Sequence, residues 1–528
     1  MYSSRYDNSR HRKPKMPKNQ PSKLFALSSI VDQRFTSIPF IHIQRRDSSF
    51  KVQGQLECTL GHRIPRATGP DDGIFVSWRW DGQKLTVEND RYGFYPLFYF
   101  ADQNQIILSP LIARLLAEGA DRTIDDAALA VFLRLGYFLD DDTPFRHIRT
   151  VPSGATFEWS SGGLLVHGRR PATAPSTMSR QSALDGFVEL FRQSIRRRPR
   201  AGRFVLPLSG GRDSRHIFLE LCEQGWKPDC CISVDLRHES DAAVAQQLAD
   251  SQSVPLRIIE PTNPSLEAEV RRNVETSFCS DEHTWSLHLA DCLGSSTDST
   301  YDGIAGDVLS SSRFLSVARQ GWYEAADYES IARDLIGYSD ASARSALPAK
   351  YRERWRGELA LDRITAELKL HAEAPNPMAD FIFWNRSRRE IALYSYGNLR
   401  DIGRVYAPFL DHDLYDHLAS LPAAMLLDRK LHDDAIRQAY PYADTIPYAS
   451  RNGQAPVADA VLAELAETAL RCLLCADRRS WIKSSYYGLR LVRSRLQKSR
   501  RSDALWLASR CLYMLQLEDI SANGLLAW

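Results

Sequence analysis

One stretch constrains this chain more than any other. From about residue 180, helix-like and strand-like runs alternate: SALDGFVELFRQSIRRR, RFVLPLS, SRHIFLELCEQG, DCCISVDL, SDAAVAQQLADSQ and PLRIIEP. Such alternation predicts a parallel, doubly wound sheet. The first buried strand runs directly into Ser209-Gly210-Gly211-Arg212-Asp213-Ser214 and then into a helix. A glycine pair lets the backbone turn sharply and approach a phosphate. The N–H groups of the following helix then face that anion, with the helix dipole behind them. Ser209 and Ser214 add hydroxyl donors. Asp213 cannot help an anion directly, but it can hold Mg²⁺, which bridges to phosphate oxygens. The loop also lies where open sheets take ligands, at the carboxyl ends of strands.

The flanks read differently. Residues 1–23 are polar, basic and Pro-containing, a composition that predicts disorder. Residues 24–172 carry short β-rich runs (FIHIQ, IFVSWRW, LFYF, QIIL) broken by DG and DNQN turns, with one helix, DDAALAVFLRLGYF, capped by Asp125 or Asp126. They predict a strand-rich α+β domain, joined by GRRPATAPSTMSR to an α/β domain over 180–475 with a helical latter part. At 528 residues the chain is long enough for two or more cores. With 44% hydrophobic and 25% charged residues, it is neither disordered throughout nor collagen-like. There is no run of 18 apolar residues and no signal-peptide-like apolar core, and the nine cysteines show no framework spacing. A cytoplasmic location is the expectation. Cys472 and Cys475 form a single CxxC, too little for a zinc site.

The net charge of +2 hides a cancellation. Residues 1–23 carry seven Lys/Arg and one Asp; residues 478–501 carry nine Lys/Arg and no acid. The second segment interleaves Trp481, Ile482, Tyr486, Leu489 and Leu496 with its charges, so 476–528 is expected as a basic helical extension. With the tail, it could dock an acidic peptide or partner protein, or an anionic membrane surface. No nucleic acid is expected.

The loop Ser209–Ser214 resembles the pyrophosphate-gripping loop of the N-type ATP pyrophosphatases, in particular the asparagine synthetase family, with its β-lactam synthetases and lasso-peptide cyclases. Other landmarks appear in the family's order. Asp90-Arg91-Tyr92-Gly93 and Pro96-Leu97-Phe98-Tyr99 resemble its RDxxGxxPLYY segment, and TPFRHIRTVPSGATFEW its TxFxGIxxLxPGxxL stretch. DGIAGD resembles its GxGxDE motif, and Ala407-Pro408-Phe409-Leu410-Asp411 its VPFLD. The resemblance implies an N-terminal Ntn-hydrolase-like domain followed by an ATP pyrophosphatase (adenine nucleotide α-hydrolase-like) domain. It implies ATP and Mg²⁺, with Asp213 and Asp307 as metal carboxylates, the loop on pyrophosphate, and Asp235 near the adenine and ribose.

The chain also departs from that pattern. Glutamine-hydrolysing members begin with a catalytic cysteine; position 2 here is Tyr2, and the first cysteine is Cys58, inside a strand-like run. The expectation is a degenerate glutaminase. Where relatives carry Glu or Tyr three residues before the metal Asp, this chain has Ile304, which can neither relay a proton nor orient an amine. Arg451, in TIPYASRNGQAP, replaces the catalytic Lys: it keeps the charge but cannot lose its proton. Arg212 and Arg215 could add phosphate contacts. The expected activity is an ATP-dependent, AMP-forming amide ligase using ammonia or a substrate amine, of a natural-product or cell-surface-polymer kind. The alternatives are a glutamine-hydrolysing asparagine synthase and a catalytically silent nucleotide or partner binder. The sequence names neither the carboxylate nor the amine.

Overall fold

The computed structural model describes residues 37–47, 49–168, 170–235, 240–262, 265–311, 314–449, 465–471, 473, 480–496 and 501–523. Residues 1–23, Arg451, Cys472 and Cys475 lie outside the described residues.

Ten strands form two antiparallel sheets. They are β1 (Ile41–Arg46), β2 (Ser49–Gly54), β3 (Glu57–Ile64), β4 (Asp72–Trp80), β5 (Leu85–Asn89), β6 (Phe98–Ala101), β7 (Gln105–Ser109), β8 (Ile148–Thr150), β9 (Thr156–Ser160) and β10 (Gly163–His167). One sheet runs β2-β1-β7-β6-β8 and the other β10-β9-β5-β4-β3. Strict alternation drives the local structure: in β5, Leu85, Val87 and Asn89 are buried while Thr86 and Glu88 face water. The sheets pack through aromatic side chains, Phe50 against Trp80 and Trp159, and Tyr99 against Phe157, at ring separations of 5.1–5.9 Å. The helix Asp126–Leu135 starts at Asp125, whose side chain accepts from the Ala128 N–H. After β5, Asp90 is fully buried, and its carboxylate accepts the N–H groups of Tyr92, Phe94 and Tyr95 at 3.0–3.2 Å. Asp90 therefore shapes the RYGFYPLFY loop from inside, while burial pushes its carboxyl up to about 6 against those bonds.

The second unit is built on parallel strands β11 (Val205–Pro207), β12 (Cys230–Val234), β13 (Leu256–Ile259), β14 (Ser299–Tyr301) and β15 (Arg404–Tyr406). β11-β12-β13 and β14-β15 are parallel sets, and a parallel bridge between Phe204 and Ser299 joins them. The resulting order, β13-β12-β11-β14-β15, reverses direction between β11 and β14. Such a reversal opens a crevice at the carboxyl ends of the strands. The three-residue β15 (Arg404–Tyr406) lies in a region expected to be mainly helical; it is too short to leave an alternation signal.

The described residues within 476–528 pack against the rest of the chain. Within the helix Arg501–Asn523, Tyr513 stacks on Phe132 at 4.8 Å, and Arg510 donates to the Leu133 carbonyl at 3.0 Å. Trp481 and Ile482 are buried, Trp481 lying 5.1 Å from Trp355, whereas Leu489 is 64% exposed. Some of the apolar residues expected to face a partner are therefore core. Among the described residues, no helix is long and apolar enough to cross a membrane.

A buried cation stands where the two units meet. Arg198 is 1% exposed and lies between Asp72 of β4, at 2.8 Å, and Asp411, at 2.9 Å, both of them buried. Burial alone would lift both acids, but Arg198 holds Asp411 at about 2. Burial and the neighbouring Asp411 leave Asp72 above its ordinary value. Around this core, Arg66 pairs with Asp413 and Arg91 with Asp416 across the same boundary. Arg198→Met would strand the buried Asp72 and leave Asp411 only Arg197, at 3.0 Å, so it is expected to lose about 3 kcal/mol at pH 7.5. Without Arg198 the folded Asp72 titrates still further above its unfolded value. Its protonation then favours folding below about pH 4, and that benefit fades as the pH rises. Denaturant melts at pH 5 and 7.5 should show the wild-type-to-variant gap widening with pH; an equal gap at both would contradict this account.

Candidate functional site

β11 ends at Pro207, and the chain turns through Ser209–Gly211 into the helix Arg212–Glu223, whose N-cap, Gly211, makes no side-chain capping bond. The loop is closed on itself and on its neighbours. The Ser209 N–H donates to Ser214 Oγ (3.1 Å), Gly211 N–H to Ser209 Oγ (3.2 Å) and Gly210 N–H to Asp241 Oδ1 (2.8 Å). The Gly210 carbonyl accepts from the Ala449 N–H at 3.0 Å.

Across the reversal, β14 leads into Asp302-Gly303-Ile304-Ala305-Gly306-Asp307. The two loops are in near contact. A Cβ on Gly303 would stand 2.5 Å from the Asp213 Cβ, and one on Gly306 would stand 2.5 Å from Asp213 Oδ1. Only glycine permits this approach. The Asp213 carboxylate accepts a backbone bond from Asp307, and Oδ1 is buried without a hydrogen-bonding partner. Burial and the adjacent Asp307 and Asp302 push Asp213 well above the carboxylate range, with Arg212 opposing. Asp302 is pushed up by burial too, while accepting from Ser395 Oγ (2.9 Å) and the Ile304 N–H (2.8 Å).

Beneath Asp213 lies a buried pair of imidazoles. Ser310 Oγ donates to the Gly306 carbonyl (2.5 Å), so it accepts from His432 Nδ1 (2.8 Å). This assigns the His432 proton to Nδ1, and His432 Nε2 then accepts from His216 Nδ1 at 3.1 Å. His432 Nδ1 also lies 3.5 Å from Asp213 Oδ1. Burial pushes His432 down to about 3 and His216 well below its ordinary value, so both rings are neutral. His216 stacks on Phe191 at 3.7 Å.

A cleft of about 210 Å³ opens at the reversal. It is lined by Leu208, Ser209, Ser214, Ser233, Val234, Asp241, Trp285, Asp302, Gly303 and Tyr394, among others. Of the residues singled out in the sequence, Ser209 and Ser214 line it, and Asp213 lies behind Gly303. Asp235 does not line it: its N–H bonds the Ile259 carbonyl (2.8 Å), and the acid this segment gives the cleft is Asp241. Arg212 is committed to Asp433, Nη2 to Oδ2 at 3.0 Å. Arg215 is also occupied, donating to the carbonyls of Ile446 and Pro447 beneath the Tyr448 ring. Both arginines fasten 446–449 to the loop. Ile304 is buried, 4% exposed. Asp241 and His432 carry no local motif, and Asp302 is the first residue of the DGIAGD segment.

A profile of the glutamine amidotransferase domain matches residues 65–168, which hold most of the antiparallel sheets. This region is thus similar to glutamine amidotransferase domains, which supports an Ntn-type amidotransferase region. A search of the curated proteins finds no match.

The crowded carboxylates give a test that needs no activity. Asp213 titrates above its unfolded value, so its contribution to folding is full below about pH 4 and is lost as the pH rises through the folded value. Asp213→Asn should therefore stabilise the metal-free protein by about 1 kcal/mol at pH 8, the scale of one pKa unit. The gain should shrink toward pH 5. Thermal melts across that range check it; a variant less stable than wild type at pH 8 would contradict the crowding.

Proposed function

We propose that the chain is an ATP-dependent, AMP-forming amide ligase of the asparagine synthetase kind, without glutaminase activity. The observation that carries this reading is the pairing of the Ser209–Ser214 loop with Asp213, Asp302 and Asp307 at a sheet reversal beside a cleft. The donor set is all-oxygen and anionic, and the buried Asp213 Oδ1 has no hydrogen-bonding partner, which fits Mg²⁺. Asp213 and Asp307 would hold it, and bound there it would neutralise charge on the phosphates of ATP.

A substrate carboxylate oxygen would attack the α-phosphorus of ATP, breaking the bond to pyrophosphate. Ammonia or an amine would then attack the acyl carbon and expel AMP, the amine proton passing to solvent. The protein's part is positioning and charge stabilisation. Ser209, Gly210, Gly211 and Ser214 would receive the leaving pyrophosphate, their N–H and hydroxyl donors exchanging present internal partners for phosphate oxygens. Asp241 would compete for the Gly210 N–H and so set how readily the loop opens. Arg451 would supply the positive charge of the missing Lys; Ala449, two residues before it, is bonded to the loop. Asp302 lies nearer to a proton-handling role than Ile304, because it lines the cleft. Cys58 does not suit glutamine hydrolysis: it is half-buried in β3, and burial pushes its thiol to about 11.

ATP–pyrophosphate exchange across a panel of carboxylates tests the reading. Exchange should fall at least about 100-fold in Asp213→Ala and in Arg451→Ala, and Arg451→Lys should restore part of it. Tight ATP binding with no exchange for any carboxylate would instead favour a silent nucleotide binder. Glutamine hydrolysis sensitive to Cys58→Ala would overturn the second half of the proposal.

A further inference from the structure

Behind the wall of the cleft, three donor side chains converge from two distant segments. Glu282 and His283 precede the turn Thr284–Ser286; Glu390 belongs to the helix Phe383–Ile391. One ligand atom of each lies within 4.8 Å of the others. Protein partners do not account for them. His283 Nε2 and Glu390 Oε2 are buried without a hydrogen bond, and Glu390 is 1% exposed. Arg386 reaches both acids, Nη2 at 3.3 Å from Glu282 Oε2 and Nε at 3.2 Å from Glu390 Oε2, the latter without hydrogen-bond alignment. Ser280 Oγ is 3.5 Å from the other Glu390 oxygen, and Asp281 is taken by Arg510. One guanidinium thus serves two carboxylates, one of them exposed and the other buried.

We propose that Glu282, His283 and Glu390 form a binding site for a divalent cation of the Zn²⁺ type, distinct from the Asp213–Asp307 pair. One imidazole and two carboxylates make a mixed N/O set that suits Zn²⁺ or Co²⁺ rather than Mg²⁺, which prefers oxygen alone. Arg386 would be the outer partner that orients the two acids. The site would also brace the cleft. The His283 ring stacks on Tyr394 at 5.8 Å, and Tyr394 and Trp285 both line the cleft. A cation tying 282–283 to Glu390 would pin that wall from behind.

The test uses the full chain, stripped with chelator, and needs neither ATP nor turnover, so its outcome is independent of the ligase reading. Calorimetric titration with Zn²⁺ should show one equivalent bound, and Co²⁺ should give visible d–d bands. His283→Ala and Glu390→Gln should each weaken binding at least about tenfold. Glu282→Gln, at a side chain 52% exposed, should do the same with an unchanged melting temperature, which covers the case in which Glu390→Gln fails to fold. Asp213→Ala should bind Zn²⁺ as wild type does. Absence of Zn²⁺ binding by the wild-type chain, or undiminished binding by His283→Ala and Glu282→Gln, would overturn the site.

Discussion

The structure turns on one guanidinium. Arg198 is enclosed between Asp72, the first residue of a strand in the antiparallel unit, and Asp411, which closes the PFLD segment of the parallel unit. Removing three charges from water is costly unless each is met by the others. The pairing therefore fixes the relative position of its partners more than it adds stability. Its carbonyl is held as well, by the Tyr301 hydroxyl at the end of β14. The anchor thus touches the last residue of β14, directly before Asp302.

The candidate site shows the opposite economy. At Arg198 opposite charges meet; around Asp213 like charges are pressed together, with two glycines removing the side chains that would keep the loops apart. Acids brought close raise one another's pKa values, and Asp213 is pushed up by burial and by the adjacent Asp307. The neutral His432–His216 pair below adds no positive charge. Its proton placement, fixed through Ser310, spends the His432 Nδ1 proton on the Ser310 hydroxyl, although that nitrogen lies 3.5 Å from Asp213 Oδ1.

Much of this was legible in the sequence, and the reason is periodicity. The alternation after residue 180 located β11, β12 and β13 with their helices, and the SGGRDS loop fell between two of them because glycine and buried-strand signals are local. The groups that complete the site are not local. Asp241 reaches Gly210 across 31 positions, His432 reaches His216 across 216, and Arg198 reaches Asp72 across 126. No window of sequence contains such pairs. The arginines were misjudged for a related reason: Arg212 and Arg215 sit where phosphate contacts are expected, but Asp433 and the 446–447 carbonyls, far along the chain, claim them first. The DRYG segment announced a landmark, yet it did not reveal that Asp90 works on its own loop while Arg91 reaches across to Asp416.

The helix Phe383–Ile391 is wound as a π-helix, with more residues per turn than an α-helix. The wider turn spreads consecutive side chains over two tasks. Arg386 and Glu390 face the back of the cleft wall. Arg388 and Arg389 point the other way, donating to the carbonyls of Val151 (2.9 Å) and Asp142 (2.6 Å) in the antiparallel unit. One short, rigid cylinder is thus meshed with both halves of the chain. Rolling it to repack the cleft wall would break those bonds, so the wall behind the cleft and the antiparallel unit are held by the same nine residues.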